Sequence, residues 1–325
     1  MRVSRIFLVV LIAGVLLFPS SESLAAPDFP ARPVNLVIGF AAGGGTDLLV
    51  RAMNDKFSEQ LGGPTVVVNK PGSGGLVAGE FVAKSKPDGY NLLVIATPHL
   101  LRQIIDPKMP FDVFRDLSPV CLYVTHQMVL AVAKGSKFKT IEDLIDYAKK
   151  NPGKLSMGSP GVGSIGHFAG ELFKSSTKVS FKHVPFTGDA PNITALLGGH
   201  IDFLISNTAA VSSKVASGDV RLLASFGETR YPDIKDVPTL KERGYPDALI
   251  SGFFAFAAPA GTPKEIIEKL NKAFQVAIQD PHTLAILKTL NCYETYKGPD
   301  DFGKFLRSEF NKYSKVAKEA GISLK

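Results

Sequence analysis

From Val34 onward, short runs rich in valine, isoleucine and leucine alternate with longer segments whose apolar residues recur at helical spacing. Such alternation leaves few options, because continuous apolar strands bury both faces and so demand parallel pairing with helices on either side. Val34 to Phe40 reads as a strand, Asp47 to Leu61 as an amphipathic helix with Leu48, Met53, Phe57 and Leu61 near one face, and Thr65 to Asn69 as the next strand. A helix from Gly75 to Lys84 and a strand from Asn91 to Thr97 complete a β-α-β-α-β unit with right-handed crossovers. Pro98 to Pro119 is punctuated by prolines and reads as irregular. The apolar run from Val120 to Ala133 that follows is long enough to carry the chain into a second sheet.

Beyond that run the pattern restarts. Thr140 is placed to cap a helix from Ile141 to Asn151, with Glu142 and Asp143 near its positive end. Leu155 to Ser159 reads as a strand and Ile165 to Ser175 as a helix, and the segments 179–184, 190–197, 201–206 and 221–226 continue the alternation. Phe253 to Ala258 returns as a strand, followed by helices from Pro263 to Asp280 and from Pro299 to Ala320. In the last of these Phe302, Leu306, Phe310, Tyr313 and Ala317 recur at the spacing of a core-facing stripe. The expected architecture is α/β and two-lobed, each lobe a mostly parallel sheet flanked by helices, with two crossing strands between them. Residues 27–125 and 252–325 form the first lobe and 126–251 the second, the layout of a hinge.

Residues 1–26 read as a secretory signal: Arg2 and Arg5, an apolar run from Ile6 to Phe18 too short to span a bilayer, polar Ser20 to Ser23, and small residues that suit cleavage after Ala25 or Ala26. No cysteine follows the apolar run, so a lipid anchor is not expected and the mature chain is expected to be free in an oxidising space. Cys121 and Cys292 are permitted a bridge there, although both lie in β-like segments where a buried free thiol is the plainer reading. The formal charge of +7 favours anionic ligands through long-range attraction. Basic residues are scattered and not interleaved with aromatics, so a nucleic-acid partner is not expected.

The stretch from Gly39 to Asp47 falls directly between the first strand and its helix, and Gly43, Gly44 and Gly45 let its backbone turn tightly with exposed amides beside a positive helix end. Phe40 offers an apolar wall there and Thr46 a hydroxyl. Asn69 to Gly75 repeats the logic after the second strand, and Gly158 to His167 repeats it in the second lobe, with Ser159 and Ser164 adding hydroxyls and Gly161, Gly163 and Gly166 the turns. Gly188 and Asp189 begin one further helix. Thr97 and His99, after the third strand, and Asn207, at the end of its own, are placed to line the same cleft, because ligands of open α/β sheets gather at the carboxyl ends of strands. Asp47, near its helix start, reads as a cap; pointed into the cleft, it would favour a ligand carrying an amine.

Enzymatic readings fail on the same residues. Leu48 replaces the last glycine of a dinucleotide fingerprint, and Val162 the first glycine of a nucleophile elbow around Ser164. Gly298 to Lys304 has the skeleton of a phosphate loop, but Phe305 stands where a magnesium-binding hydroxyl is needed. The six histidines show no close metal spacing. No cofactor, metal or catalytic residue is therefore expected, with a Ser164/His167 hydrolase as the remaining enzymatic alternative. His167, in the first turn of its helix, is a candidate donor to a ligand oxygen, against the plainer reading of packing between loop and helix.

In their order along the chain, Pro30-Ala31-Arg32-Pro33-Val34, the turn from Phe40 to Asp47, Asn69 to Gly75 and Pro87-Asp88-Gly89-Tyr90 resemble the Bug-type periplasmic receptors of tripartite tricarboxylate transporters. His183-Val184-Pro185-Phe186 with Gly188, Asp236-Val237-Pro238-Thr239, Ala258 to Pro263 and Lys318 to Ile322 extend the resemblance over nearly the whole mature chain. It implies a two-domain periplasmic binding fold and a small carboxylate held between the two turns: a di- or tricarboxylate, an aromatic acid or an acidic amino acid. Delivery to a membrane permease follows from it, with a sensor kinase as the alternative partner. A monomer in the periplasm is expected. Ala42 takes the place of a proline usual before the glycine pair, and His99 falls in a variable stretch.

Overall fold

The strand Val34–Ile38 (β1) feeds the helix Gly45–Leu61 (α1), and after Thr65–Asn69 (β2), Leu76–Ala83 (α2) and Asn91–Ala96 (β3) the chain has made the expected β-α-β-α-β unit. The structure, a computed structural model, describes residues 29–40, 42–43 and 45–323. The expected signal segment 1–26 and Gly44 lie outside the described residues. β2, β1 and β3 pair in parallel, with Val34 opposite Thr65 and Leu36 opposite Leu92.

Thr97–Ile105 is a helix (α3), not the irregular segment predicted from its proline. Pro98 occupies the first turn, where its missing N–H costs nothing and its fixed φ suits the helix. The strand Leu117–Ala133 (β4) is about 55 Å long at roughly 3.3 Å per residue, too long for one sheet. It divides its pairing accordingly. The helix Ile141–Lys150 (α4) is capped by Thr140, whose hydroxyl accepts from Asp143 N. Ser156–Ser159 (β5), Ile165–Thr177 (α5), Lys182–Pro185 (β6), Asp189–Leu197 (α6), Phe203–Asn207 (β7), Thr208–Ala216 (α7) and Val220–Ser225 (β8) continue the alternation. Ser251–Pro259 (β9) returns, followed by Lys264–Ile278 (α8), Pro281–Thr289 (α9), Tyr293–Lys297 (β10) and Pro299–Ala320 (α10). Helices α7 and α9 and strand β10 were not delimited from the sequence.

Among the described residues the strands form one ten-stranded array, β2-β1-β3-β9-β4-β7-β5-β6, with β8 and β10 also on β4. The array has two half-sheets. From Leu117 to Gln127, β4 runs antiparallel to β9, and from Met128 to Ala133 it pairs with β7 and β8. Each half-sheet keeps three parallel strands, β2-β1-β3 and β6-β5-β7, while β4 and β9 add the antiparallel ladders through which the halves join.

Helices cover both faces. α1 and α8 press onto the first half-sheet, where Phe57, Phe274, Phe256 and Tyr123 stack into one column at centroid spacings of 3.8, 3.9 and 4.9 Å. Leu48 is not part of this core; it is 44% exposed, and Leu49 and Val50 are buried instead. Five residues of helix separate Leu48 from Met53 by about 140° around the axis, which takes it off the buried stripe. Cys121 and Cys292 are buried free thiols, and burial pushes both so far up that neither is ionised at neutral pH. On the opposite face α10 buries Phe302, Leu306, Tyr313 and Ala317 and runs from β4 past α3 to α5, so one helix braces both halves.

Candidate functional site

The first glycine-rich turn is built around Asp47. Its Oδ2 accepts from Gly43 N and Arg51 Nε, both at 2.9 Å, and its Oδ1 accepts from Asn69 Nδ2 at 2.9 Å. Burial pushes this carboxyl up, but the hydrogen bonds of Arg51, Gly43 and Asn69 outweigh it and hold the group down at about 2. Asp47 is thus a staple of the turn ahead of the helix, and Gly43 spends its amide on it. Asn69 ties the strand ends together by also donating to Phe40 O at 3.1 Å. Phe40, half-buried, packs its ring edge-on to His99, and Ala42 and Gly43 are exposed. The second turn lies close behind the first: a Cβ on Gly39 would fall 2.5 Å from Gly75 Cα, so Gly39 tolerates no side chain at that crossing.

Thr97 and His99 do not line a cleft as expected. Both are buried, and Thr97 Oγ1 accepts from Phe253 N at 2.8 Å. His99 Nδ1 accepts from Ala96 N at 3.1 Å, which leaves Nε2 to donate to Gly75 O at 3.2 Å. Burial lowers its pKa. A neutral imidazole there pins the second turn to the start of α3.

In the second half-sheet, Ser159 is fully buried, its Oγ 2.6 Å from His183 Nε2, and it accepts from Gly161 N at 3.2 Å. Ser164 caps α5 by accepting from His167 N at 3.3 Å. The His167 ring accepts from Gly163 N at 3.1 Å and stacks on His183 at 4.0 Å. Burial brings both rings down to about 4. The Ser164 hydroxyl therefore faces the amide of His167 and not its imidazole, and the pairing needed for a Ser164/His167 nucleophile is not made. His167 takes the loop-to-helix packing role. Gly163 is in the left-handed region at φ 75°, and a Cβ there would lie 2.3 Å from Ile105 Cδ1, so this loop docks on α3 of the other half.

What the two halves enclose together is a cavity of about 380 Å³. From the first half come Gly45, Thr46 and Leu49 at the start of α1, with Phe254, Leu290 and Cys292; from the second come His126, Asp189, Asn207, Ala209 and Ala210. Of the residues predicted from sequence, Thr46, Asp189 and Asn207 meet here. The first turns of α1, α6 and α7 line one space, and each brings the positive end of a helix dipole to it. Asn207 caps α7, its Oδ1 accepting from Ala210 N at 2.8 Å, and Nδ2 donates to Asp189 Oδ2 at 3.4 Å. Ser206 Oγ donates to Asp189 Oδ1. Burial raises the Asp189 carboxyl, with those two bonds opposing.

His126 was missed. Its Nδ1 is buried with no partner among the described residues, its ring lies over Gly252 on the neighbouring crossing strand and 5.4 Å from the Phe254 ring, and burial lowers it to about 4. The signal was the polar triplet Thr125-His126-Gln127 inside an apolar run, which marks where β4 leaves one sheet for the other. The described residues hold no group of three or more histidine, cysteine or acidic side chains that suits a metal ion.

The model of the tripartite tricarboxylate transporter family receptors matches residues 49–322. Protein BugT of Bordetella pertussis is 32% identical over 321 residues, covering 97% of this chain and 98% of that protein. Among solved structures, R. palustris Rpa4515 with adipate is 32% identical with a TM-score of 0.78, over 91% of this chain and 99% of that one. MatC from Rhodopseudomonas palustris with bound malate is 27% identical with a TM-score of 0.75, over 89% and 99%.

Proposed function

The chain belongs to the tripartite tricarboxylate transporter family of receptors, and from that premise we propose that it captures a small carboxylate in the cavity between its half-sheets and delivers it to a membrane permease. It acts as a monomer in the periplasm. The lobes are residues 27–125 with 252–325 and residues 126–251, turning about β4 and β9.

The observation that carries this reading is the cavity itself: the first turns of three helices, drawn from both halves, line one space, and its apolar walls strengthen a contact with an anion. About 380 Å³ suits a small acid and falls within the roughly 300–1,000 Å³ of small-molecule sites. Adipate and malate, bound by two structural neighbours, are the first candidates. Thr46 and Asn207 receive the carboxylate, with the His126 ring beside them on the wall. Gly43, Ser159, Gly163, Ser164 and His167 hold the turns in place.

A thermal-shift panel of dicarboxylates, tricarboxylates, aromatic acids and acidic amino acids tests this. A ligand at a hundred times its Kd stabilises the fold by about 2.7 kcal/mol, several degrees of melting temperature. At least one acid is expected to give such a shift. Silence from the whole panel on folded protein would remove the proposal.

A further inference from the structure

The cavity contains a contradiction for a plain carboxylate. Its helix starts favour an anion, yet Asp189 places a carboxylate of its own on the wall. No lysine, arginine or histidine pairs with Asp189 among the described residues; its oxygens accept only from the neutral Ser206 Oγ and Asn207 Nδ2. These two bonds fix its orientation and leave lone pairs free, since a carboxylate accepts at about four sites. A second carboxylate brought alongside repels it, the more so beside the apolar Phe254 and Leu290.

We propose that the ligand is an aminocarboxylate, held with its carboxylate at the starts of α1 and α7 and its ammonium on Asp189. The inference rests on the carboxylate-receptor reading and narrows it. An ammonium gives Asp189 its missing counter-charge, and the same apolar wall that penalises two anions strengthens this pair. Burial raises the Asp189 carboxyl, and only its two neutral donors oppose that. Specificity then comes from opposite ends of one ligand, the helix starts reading its negative end and Asp189 its positive end.

Calorimetric titration at neutral pH with matched pairs tests it: aspartate against malate, 2-aminoadipate against adipate, and phenylalanine against 3-phenylpropionate, on wild type and Asp189→Asn. In wild type the amino member of a pair is expected to bind at least about tenfold tighter, the scale of one charge-assisted hydrogen bond. Asp189→Asn, checked for folding by its melting curve, is expected to weaken that amino acid about tenfold to a hundredfold while the matched plain acid binds as well or better. Plain acids binding as tightly as their amino partners in wild type would overturn this inference and leave the receptor reading intact. An unchanged amino-acid affinity in Asp189→Asn would overturn it equally, as would no binding by either member of any pair, while the receptor reading stands or falls with the wider acid panel.

Discussion

Asp47 shows how one side chain can fix the shape of a glycine-rich turn. One carboxylate gathers Gly43 N, Arg51 and Asn69, so the first turn is rigid before anything binds. Replacing it by asparagine keeps the shape but aims an amide N–H at a donor, and Asp47→Asn is expected to lose about 1–3 kcal/mol of stability in urea denaturation at neutral pH. The pH dependence has a definite sign. The folded value of about 2 lies below the ordinary 3.8, so the contribution is complete above about pH 4 and is lost as pH falls through 2. The gap between wild type and Asp47→Asn should therefore close over that window. The glycine-rich turns were legible in the sequence, but not the use of their amides: Gly43, Gly161 and Gly163 donate to Asp47, Ser159 and His167 of their own loops. Spacing reveals a donor-rich turn and says nothing of what the donors already hold, which is why Ser159 and His167 were predicted in the site and lie behind it.

Among the elements, the crossing strands decide most. β4 was legible because its apolar run exceeds any ordinary strand, and its polar triplet falls where the sheet changes. β9 supplies Gly252 opposite His126, where a Cβ would meet the imidazole at 1.9 Å. Gly252→Ala is expected to push that ring from the cavity, costing about 1–3 kcal/mol of stability and weakening ligand binding, both read by comparing melting curves with and without the best acid of the panel. Helices α3 and α9 escaped prediction because each has a proline in its first turn, which reads as a breaker when the helix start is not recognised. α7 escaped because its residues carry little amphipathic pattern; its one clear signal was the cap, Asn207. That omission hid two cavity residues, Ala209 and Ala210.

For the molecule as a whole, two half-sheets share two strands and a bracing helix, and helix starts from both halves line the space between them. An overall charge of +7 draws anions toward it without selecting among them. On the proposed function, selection falls to a handful of side chains drawn from both halves, and an acid that bridges Thr46 and Asn207 would tie the two halves together. The most direct test is calorimetric titration of the best acid from the panel into wild type and into Ala209→Phe, whose ring would fill the cavity. One-to-one binding by wild type and no measurable heat from a variant with an undiminished melting temperature is the predicted result. Equal heats from both proteins would place the ligand elsewhere and contradict the account.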